Sequence, residues 1–375
     1  PRFGAIDNNA IRWLSLSLIC CTYLLNSIKL NSIKLSKKHI LFSGFIIFYL
    51  LFSVFISNNI IEGIISFYKI IILIVVFFIC CDIFKKISNP FFGFCIVLSI
   101  SLFIESSFIL IEFFSSLDSL TGIASNPNIS SSSIILKLPF IIFLGFQSLK
   151  RNQVLLLKII ELASILGVII LGSRLGVLSL LLIYLLTFLI YKGQRQNQIL
   201  PLLVVIIFGF YINTSDQSDN LKIDTLIIEN LSKDESTNQR LTFYKKAINL
   251  SFKKPVFGYG LGSWKYESLP YKENYDRNIL VSYYTHNDFL QILFELGIIG
   301  LLTYLSFLNS LMKKIFLIEN RYKGILTIAL IVFLINSLLN FPLHRSQEII
   351  PFVIISALIF SLRSKTNIPL RNNMS

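Results

Sequence analysis

Two arginines and a histidine stand out against an apolar background. Arg174 lies in GSRLG, a very short turn between two apolar runs, and Arg240 opens the polar segment NQRLTFYKKAINLSF at 238–252. His286, one of only three histidines, stands in THNDFLQILFELGIIG at the edge of another apolar run. An arginine at membrane depth costs about 2.5–3.5 kcal/mol even on lenient scales, so Arg174 calls for an anionic partner. A guanidinium is a planar fork of donors that fits phosphate oxygens. An imidazole, with an unperturbed pKa of about 6.5, is suited to accept a proton from a sugar hydroxyl at neutral pH. Each residue also has a plainer reading: Arg174 snorkelling to lipid headgroups, Arg240 solvated on a surface, His286 packed at an interface.

The elements that must position these residues are set by composition. The chain has 375 residues, 54% hydrophobic and 14% charged, with a mean hydropathy of +0.72. A soluble domain carries about 25% charged residues, so this chain cannot cover a water-exposed surface. With 34 Phe and 17 Gly it is neither fibrous nor a disordered low-complexity chain. Most of its length is apolar runs of about 20 residues, the thickness of a bilayer core. The runs are continuous rather than alternating, which excludes a β-barrel. The expectation is an all-α polytopic membrane protein. The net charge of +14 comes from small basic clusters between the runs, the pattern of the positive-inside bias rather than of nucleic-acid binding. The five cysteines all lie inside apolar runs without a spacing motif, so neither a disulfide framework nor a metal site is expected.

Eleven spans are predicted: 11–26, 39–57, 64–84, 91–114, 132–149, 153–171, 174–191, 198–212, 288–312, 324–340 and 349–362. Basic connections (Lys29 to Lys38, Lys85 and Lys86, Lys150 and Arg151, Lys192 and Arg195, Lys313 to Lys323, the tail with Arg363, Lys365 and Arg371) alternate with connections nearly bare of Lys and Arg. The basic set is therefore assigned to the cytoplasm and residue 1 begins outside. The chain starts at Pro1, without Met or a visible cleavable signal peptide. One more helix before Pro1 is expected, which would make twelve. Residues 1–212 read as an N-terminal bundle of eight spans, 213–287 as a large external loop, and 288–375 as three spans and a cytoplasmic tail. The loop holds ten Lys/Arg and nine Asp/Glu, which long loops tolerate outside. Within it, Leu241, Tyr244, Ala247, Ile248 and Ser251 share a helical face, and an amphipathic helix lying on the bundle is predicted. The direct repeat NSIKL-NSIKL at 26–35 carries no functional reading.

Four stretches resemble one family. His286-Asn287, nine residues, then Gly297-Ile298-Ile299-Gly300 resembles the His-Asn-x9-Gly-x-x-Gly signature of the O-antigen ligase and polymerase superfamily. TGIASNPN (121–128) is similar to its Gly-x-x-x-Asn-Pro-Asn outer loop, and GSRLGVLSL (172–180) to its Ser-Arg-x-Gly helix start. Arg240 followed by PVFGYGLGSW (255–264) is similar to its Arg, then Pro-x-x-Gly-x-Gly pattern, and NFPLHR (340–345) has counterparts too.

The resemblance implies a GT-C-like enzyme of the bacterial inner membrane. Its members move a glycan from undecaprenyl diphosphate to an acceptor hydroxyl at the periplasmic face, without nucleotide sugar, metal or other cofactor. By that likeness Arg174 and Arg240 hold the diphosphate, where two cations offset the charge that builds as the anomeric bond breaks. His286 orients or deprotonates the acceptor, which attacks with inversion, and Asn126, Asn128, Asn287 and Arg345 join in binding substrate. A ligase would use the lipid A core as acceptor, a polymerase another lipid-linked glycan. A transporter or flippase without chemistry is the rival from another class, although no internal repeat marks one. The absence of Asp-x-Asp, Walker, dinucleotide and HExxH patterns agrees with a metal-free transferase.

Further charges lie inside the apolar runs. Lys69, Glu112 and Lys137 map near outer helix ends, where they could pair with one another, and Glu105 shares a face with Glu112. Both structural pairing and lining a substrate groove are open for them, and Glu295 is equally ambiguous. Gly297 and Gly300 read as close helix-packing positions. Trp264, Tyr283 and Tyr284 read as an interfacial belt or as sugar-stacking platforms.

Overall fold

Apolar segments without water to satisfy their amides must close their hydrogen bonds internally, and this chain does so as helices. The computed structural model describes residues 8–29, 37–115, 120–147, 149–215, 235–269 and 283–362. Residues 30–35 of the NSIKL repeat and the basic tail from Arg363 lie outside them. Among the described residues there are thirteen α-helices: α1 (Asn8–Lys29), α2 (Lys37–Phe55), α3 (Ile60–Lys86), α4 (Pro90–Phe114), α5 (Pro127–Gly145), α6 (Arg151–Ile170), α7 (Arg174–Ile190), α8 (Gln196–Ser215), α9 (Glu235–Ser251), α10 (Trp264–Glu267), α11 (Asp288–Leu317), α12 (Asn320–Leu339) and α13 (Ser346–Ser361). The eleven predicted spans fall, in order, on α1–α8 and α11–α13. Six of these, α3–α6, α11 and α12, are long and apolar enough to cross a membrane, and five are shorter apolar helices. The chain is an all-helical, multi-span membrane protein.

The helices form two compact units. The first takes the described residues of 1–82, 222–310 and 337–346, the second those of 83–221, 311–336 and 347–375.

In the second unit α5 is buried along nearly its whole length, every residue from Ile129 to Leu144. Its start is built from the sequence up. Asn126 is the N-cap, its side chain accepting the Asn128 and Ile129 amides, and Pro127 fills the first helical position, where no N–H is needed. Ser173 likewise caps α7 through the Gly176 amide. Glu112 of α4 is buried and accepts the Gly122 amide at 2.8 Å, tying down the loop that leads to Asn126. Lys137 pairs with Glu105 rather than with Glu112, and reaches Ser101 (3.1 Å) and Ser133 (3.0 Å) as well.

In the first unit the organising feature is a break in α11. Gly297 leaves the helix with φ of 61°, a left-handed conformation that glycine adopts without penalty. The freed backbone groups are taken up from elsewhere. The Phe294 and Glu295 carbonyls accept the Tyr259 and Gly260 amides, both at 2.9 Å, and the Ile298 amide donates to the Pro255 carbonyl at 2.9 Å. Tyr49 of α2 donates its hydroxyl to the Leu296 carbonyl, so these backbone groups, freed by the break, keep partners in apolar surroundings. The turn 255–263 therefore acts as a substitute strand of hydrogen bonds. The Glu295 carboxylate reinforces it, accepting the Gly262 amide (3.0 Å) and the Gln291 side chain (2.7 Å). The expectation of helix-packing glycines is corrected accordingly: a Cβ on Gly297 would sit 2.2 Å from the Val256 carbonyl oxygen, and one on Gly300 would meet Leu296 of the same helix.

Two further expectations shift. Trp264 is fully buried and packs edge-on against Phe294 at 5.2 Å, so it belongs to the core rather than to a belt or a sugar platform. Of the predicted α9 stripe, Ala247 and Ser251 are buried and Tyr244 half-buried, while Leu241 and Ile248 are exposed; Phe243 and Leu250 complete the buried face. The buried face is shifted at its edge, because Phe243 and Leu250 pack toward Phe294 and Leu290 of α11.

Candidate functional site

Within the first unit, the residues before α11, the start of α9 and the end of α12 meet. Asn287 caps α11, accepting the Leu290 amide at 3.0 Å, and donates its Nδ2 to the Leu338 carbonyl at 2.9 Å. Arg240 donates from Nη1 to the next carbonyl, Leu339, at 3.3 Å. The last carbonyls of a helix lack partners within it and carry its negative end, so an amide and a guanidinium are suitable caps for α12. Asp288 completes the junction by accepting the Leu343 amide at 3.1 Å.

His286 sits at this junction in a left-handed conformation, φ 59°, a strained state for a residue with a Cβ. Its carbonyl accepts the Tyr244 hydroxyl at 2.8 Å. Its ring lies nearly parallel to Phe243, with centroids 6.3 Å apart, and edge-on to Phe341 at 4.7 Å. Nδ1 is buried and has no hydrogen-bond partner among the described residues. Burial first, then the charges of Arg240 and Arg345, pushes the His286 pKa down to about 4. The imidazole is thus neutral at pH 7, a correction to the unperturbed value assumed from sequence.

Arg345 lies over two rings, 4.4 Å from the Phe341 centroid and 5.5 Å from that of Tyr284, the geometry of a cation–π contact. Tyr284 stacks on Phe341 at 4.8 Å and leans on His344 at 4.6 Å. His344 is also held neutral: burial, then Lys69, Arg345 and Lys265, pushes its pKa down to about 3. Lys265 is paired with Glu62 at 2.7 Å. Two uncharged imidazoles therefore stand in the field of several cations, an environment that attracts anions.

The structure thus brings Arg240, His286, Asn287 and Arg345 together around Phe341. Asn126, Asn128 and Arg174 group in the second unit. There Ser173 donates to Asn128 Oδ1 at 2.9 Å, joining the starts of α5 and α7, and Arg174 is the exposed first residue of α7. Asn126 and Asn128 are exposed too, each using its Oδ1 internally. Sequence reasoning missed Phe243, Phe341 and Tyr244 as the frame of His286. NFPLHR had drawn attention to Phe341, but no spacing rule links positions 243 and 341. Among the described residues no group of three or more His, Cys, Asp or Glu is placed to hold a metal ion.

Residues 159–305 match the O-antigen ligase family. The match runs through Arg174, Arg240, His286, Asn287 and the Gly297 break, and leaves Asn126, Asn128 and Arg345 outside it. A Rickettsia conorii protein named "Putative polysaccharide ligase" is 36% identical over 95 residues, which is 24% of this chain and 23% of that protein. The O-antigen ligase resemblance read from the motifs is borne out at the level of the family.

Proposed function

We propose that this chain is a glycosyltransferase that moves a glycan from undecaprenyl diphosphate to a hydroxyl of the lipid A core, at the periplasmic face of a bacterial inner membrane. The observation that carries the reading is the neutral His286, its Nδ1 buried and without a hydrogen-bond partner among the described residues, beside two guanidiniums. The acceptor oxygen attacks the anomeric carbon from the face opposite the leaving group, and the carbon–oxygen bond to the diphosphate breaks with inversion. Arg240, and Arg174 in its own unit, are proposed as diphosphate-binding cations. Charge-assisted donors in a low-dielectric setting act most strongly on the charge that grows on the leaving oxygens. With a pKa of about 4, His286 is a weak base in the ground state. It accepts a hydrogen bond from the acceptor hydroxyl, orients it, and takes the proton as the new bond makes that hydroxyl acidic. Arg345, Asn287, Asn126 and Asn128 are proposed to bind the substrates' polar groups.

The test is reconstitution of the purified chain with an undecaprenyl-diphosphate glycan and acceptor in EDTA. A new glycosidic bond is the expected product. Glycan crossing the bilayer with no bond formed would make the protein a transporter. In cells, loss of a ligase leaves long lipid-linked chains unattached, whereas single-repeat glycans on lipid A would reassign the chain as a polymerase.

A further inference from the structure

At a separate place, wholly within the second unit, three connections enclose a cavity of about 720 Å³. The end of α3 contributes Lys85 and Lys86, the start of α12 contributes Arg321 and Tyr322, and the end of α13 contributes Leu362. All three belong to the basic set that the Lys/Arg alternation assigns to the cytoplasm. Three cations and one acid, Glu319, line the space, a net of +2 (3 − 1). Glu319 is taken by Arg321 at 2.6 Å. Tyr322 forms a fixed wall: it is buried, and its ring lies 4.3 Å from that of Phe91, with the Arg321 guanidinium 4.4 Å from its centroid.

Solvated lysines at helix ends account for positive-inside charge, yet they do not require a cavity. Here separate chain segments hold cations around one concave volume, in the size range of small-ligand sites, about 300–1,000 Å³. The lining also includes Ile87, Ile318 and Leu362, so a complementary guest carries both a phosphate charge and apolar substance. A free phosphate ion would leave those aliphatic walls unused. The residues that follow Leu362 are no complement either, since 363–375 contain Arg363, Lys365 and Arg371 and no acid. We propose that this cavity binds the phosphodiester headgroup of an anionic phospholipid of the cytoplasmic leaflet, as basic sites between membrane helices do. The site is independent of the glycan-transfer reading.

The experiment is native mass spectrometry of the full chain released from detergent with phosphatidylglycerol or phosphatidylcholine. One phosphatidylglycerol should remain bound where phosphatidylcholine does not. Lys85→Ala/Lys86→Ala should lower its retention by about tenfold, while Lys85→Arg/Lys86→Arg, a control for folding, should keep it. Equal retention of both lipids, or undiminished phosphatidylglycerol in the alanine variant, would overturn the proposal. In a second arm, inorganic phosphate at millimolar concentration should neither raise the melting temperature nor displace the lipid. If it does both, the site is one for free phosphate and the lipid assignment is wrong.

Discussion

Lys137 in the second unit and Arg240 in the first are cations of a membrane protein held in opposite ways. Lys137 is 5% exposed and closed by the Glu105 carboxylate, Ser101 and Ser133. Beside the pair is a space of about 20 Å³, room for about one water. Its charge is cancelled where it stands. Arg240 is anchored on a neutral carbonyl, and Arg345 lies over two aromatic rings. Both still lower the His286 pKa, so their charge is felt at the imidazole. A carboxylate partner turns a cation into scaffold, whereas a backbone carbonyl, as for Arg240, fixes a cation's position without cancelling its charge.

The contrast is broken most directly at the His286 junction. His286→Ala and Arg240→Ala should each lower transfer by about 10²–10⁴-fold, the usual worth of a proton-transfer or charge-stabilising group, with insertion and expression unchanged. Activity close to wild type in both variants would remove the site assignment. The same holds for Arg174→Ala, measured in the same reconstituted assay.

In the second unit the expected effect is on stability. Glu105→Leu alone should cost about 3–5 kcal/mol, because it leaves the Lys137 ammonium buried without its partner. The double variant with Lys137→Met should recover most of that loss, and transfer with it. If the double variant folds well and is inactive, the pair lines a substrate groove and the contrast drawn here fails.

Gly297→Ala separates architecture from chemistry in the first unit. The left-handed φ alone costs about 1–3 kcal/mol, and the added Cβ would collide with the Val256 carbonyl. A lower melting temperature is expected, with activity falling in proportion to the folded fraction.

A last effect is with pH. His286 and His344 titrate at about 4 and about 3 in the folded chain, against about 6.5 unfolded. As pH falls below about 6.5 the unfolded chain binds protons that the folded chain refuses, so stability drops toward pH 4 and these groups add no slope above about 6.5. Melting temperatures between pH 7.5 and 4.5 should show that slope, and His286→Gln/His344→Gln should flatten it. Transfer should stay level through pH 6, where an unshifted histidine would already be mostly protonated.

Much of this was legible in the residues themselves. Continuous apolar runs admit only helices in lipid, so eleven runs became eleven helices in order. Ser173 caps α7 at the Ser-Arg-x-Gly helix start that the resemblance implied, whereas α5 begins at Pro127, five residues before the predicted span, because Asn126 caps it locally. That Phe243 and Leu250 rather than Leu241 and Ile248 bound the buried face of α9 was not legible, since a helix with apolar side chains on several faces takes its exact orientation from what it packs against, here Phe294 and Leu290. The partner of Lys137 was equally hidden, because Glu105 and Glu112 lie on one face of α4 and only the rise of α5 beside it chooses between them.

Sequence alone determined the helices, their order and the residue types able to bind a pyrophosphate, because hydropathy and capping act over a few residues. The meeting of Arg240, His286 and Arg345 at Phe341, and the neutral state of that imidazole, were decided by tertiary structure. Burial and nearby charge depend on chain segments about a hundred residues apart, and no local pattern encodes them.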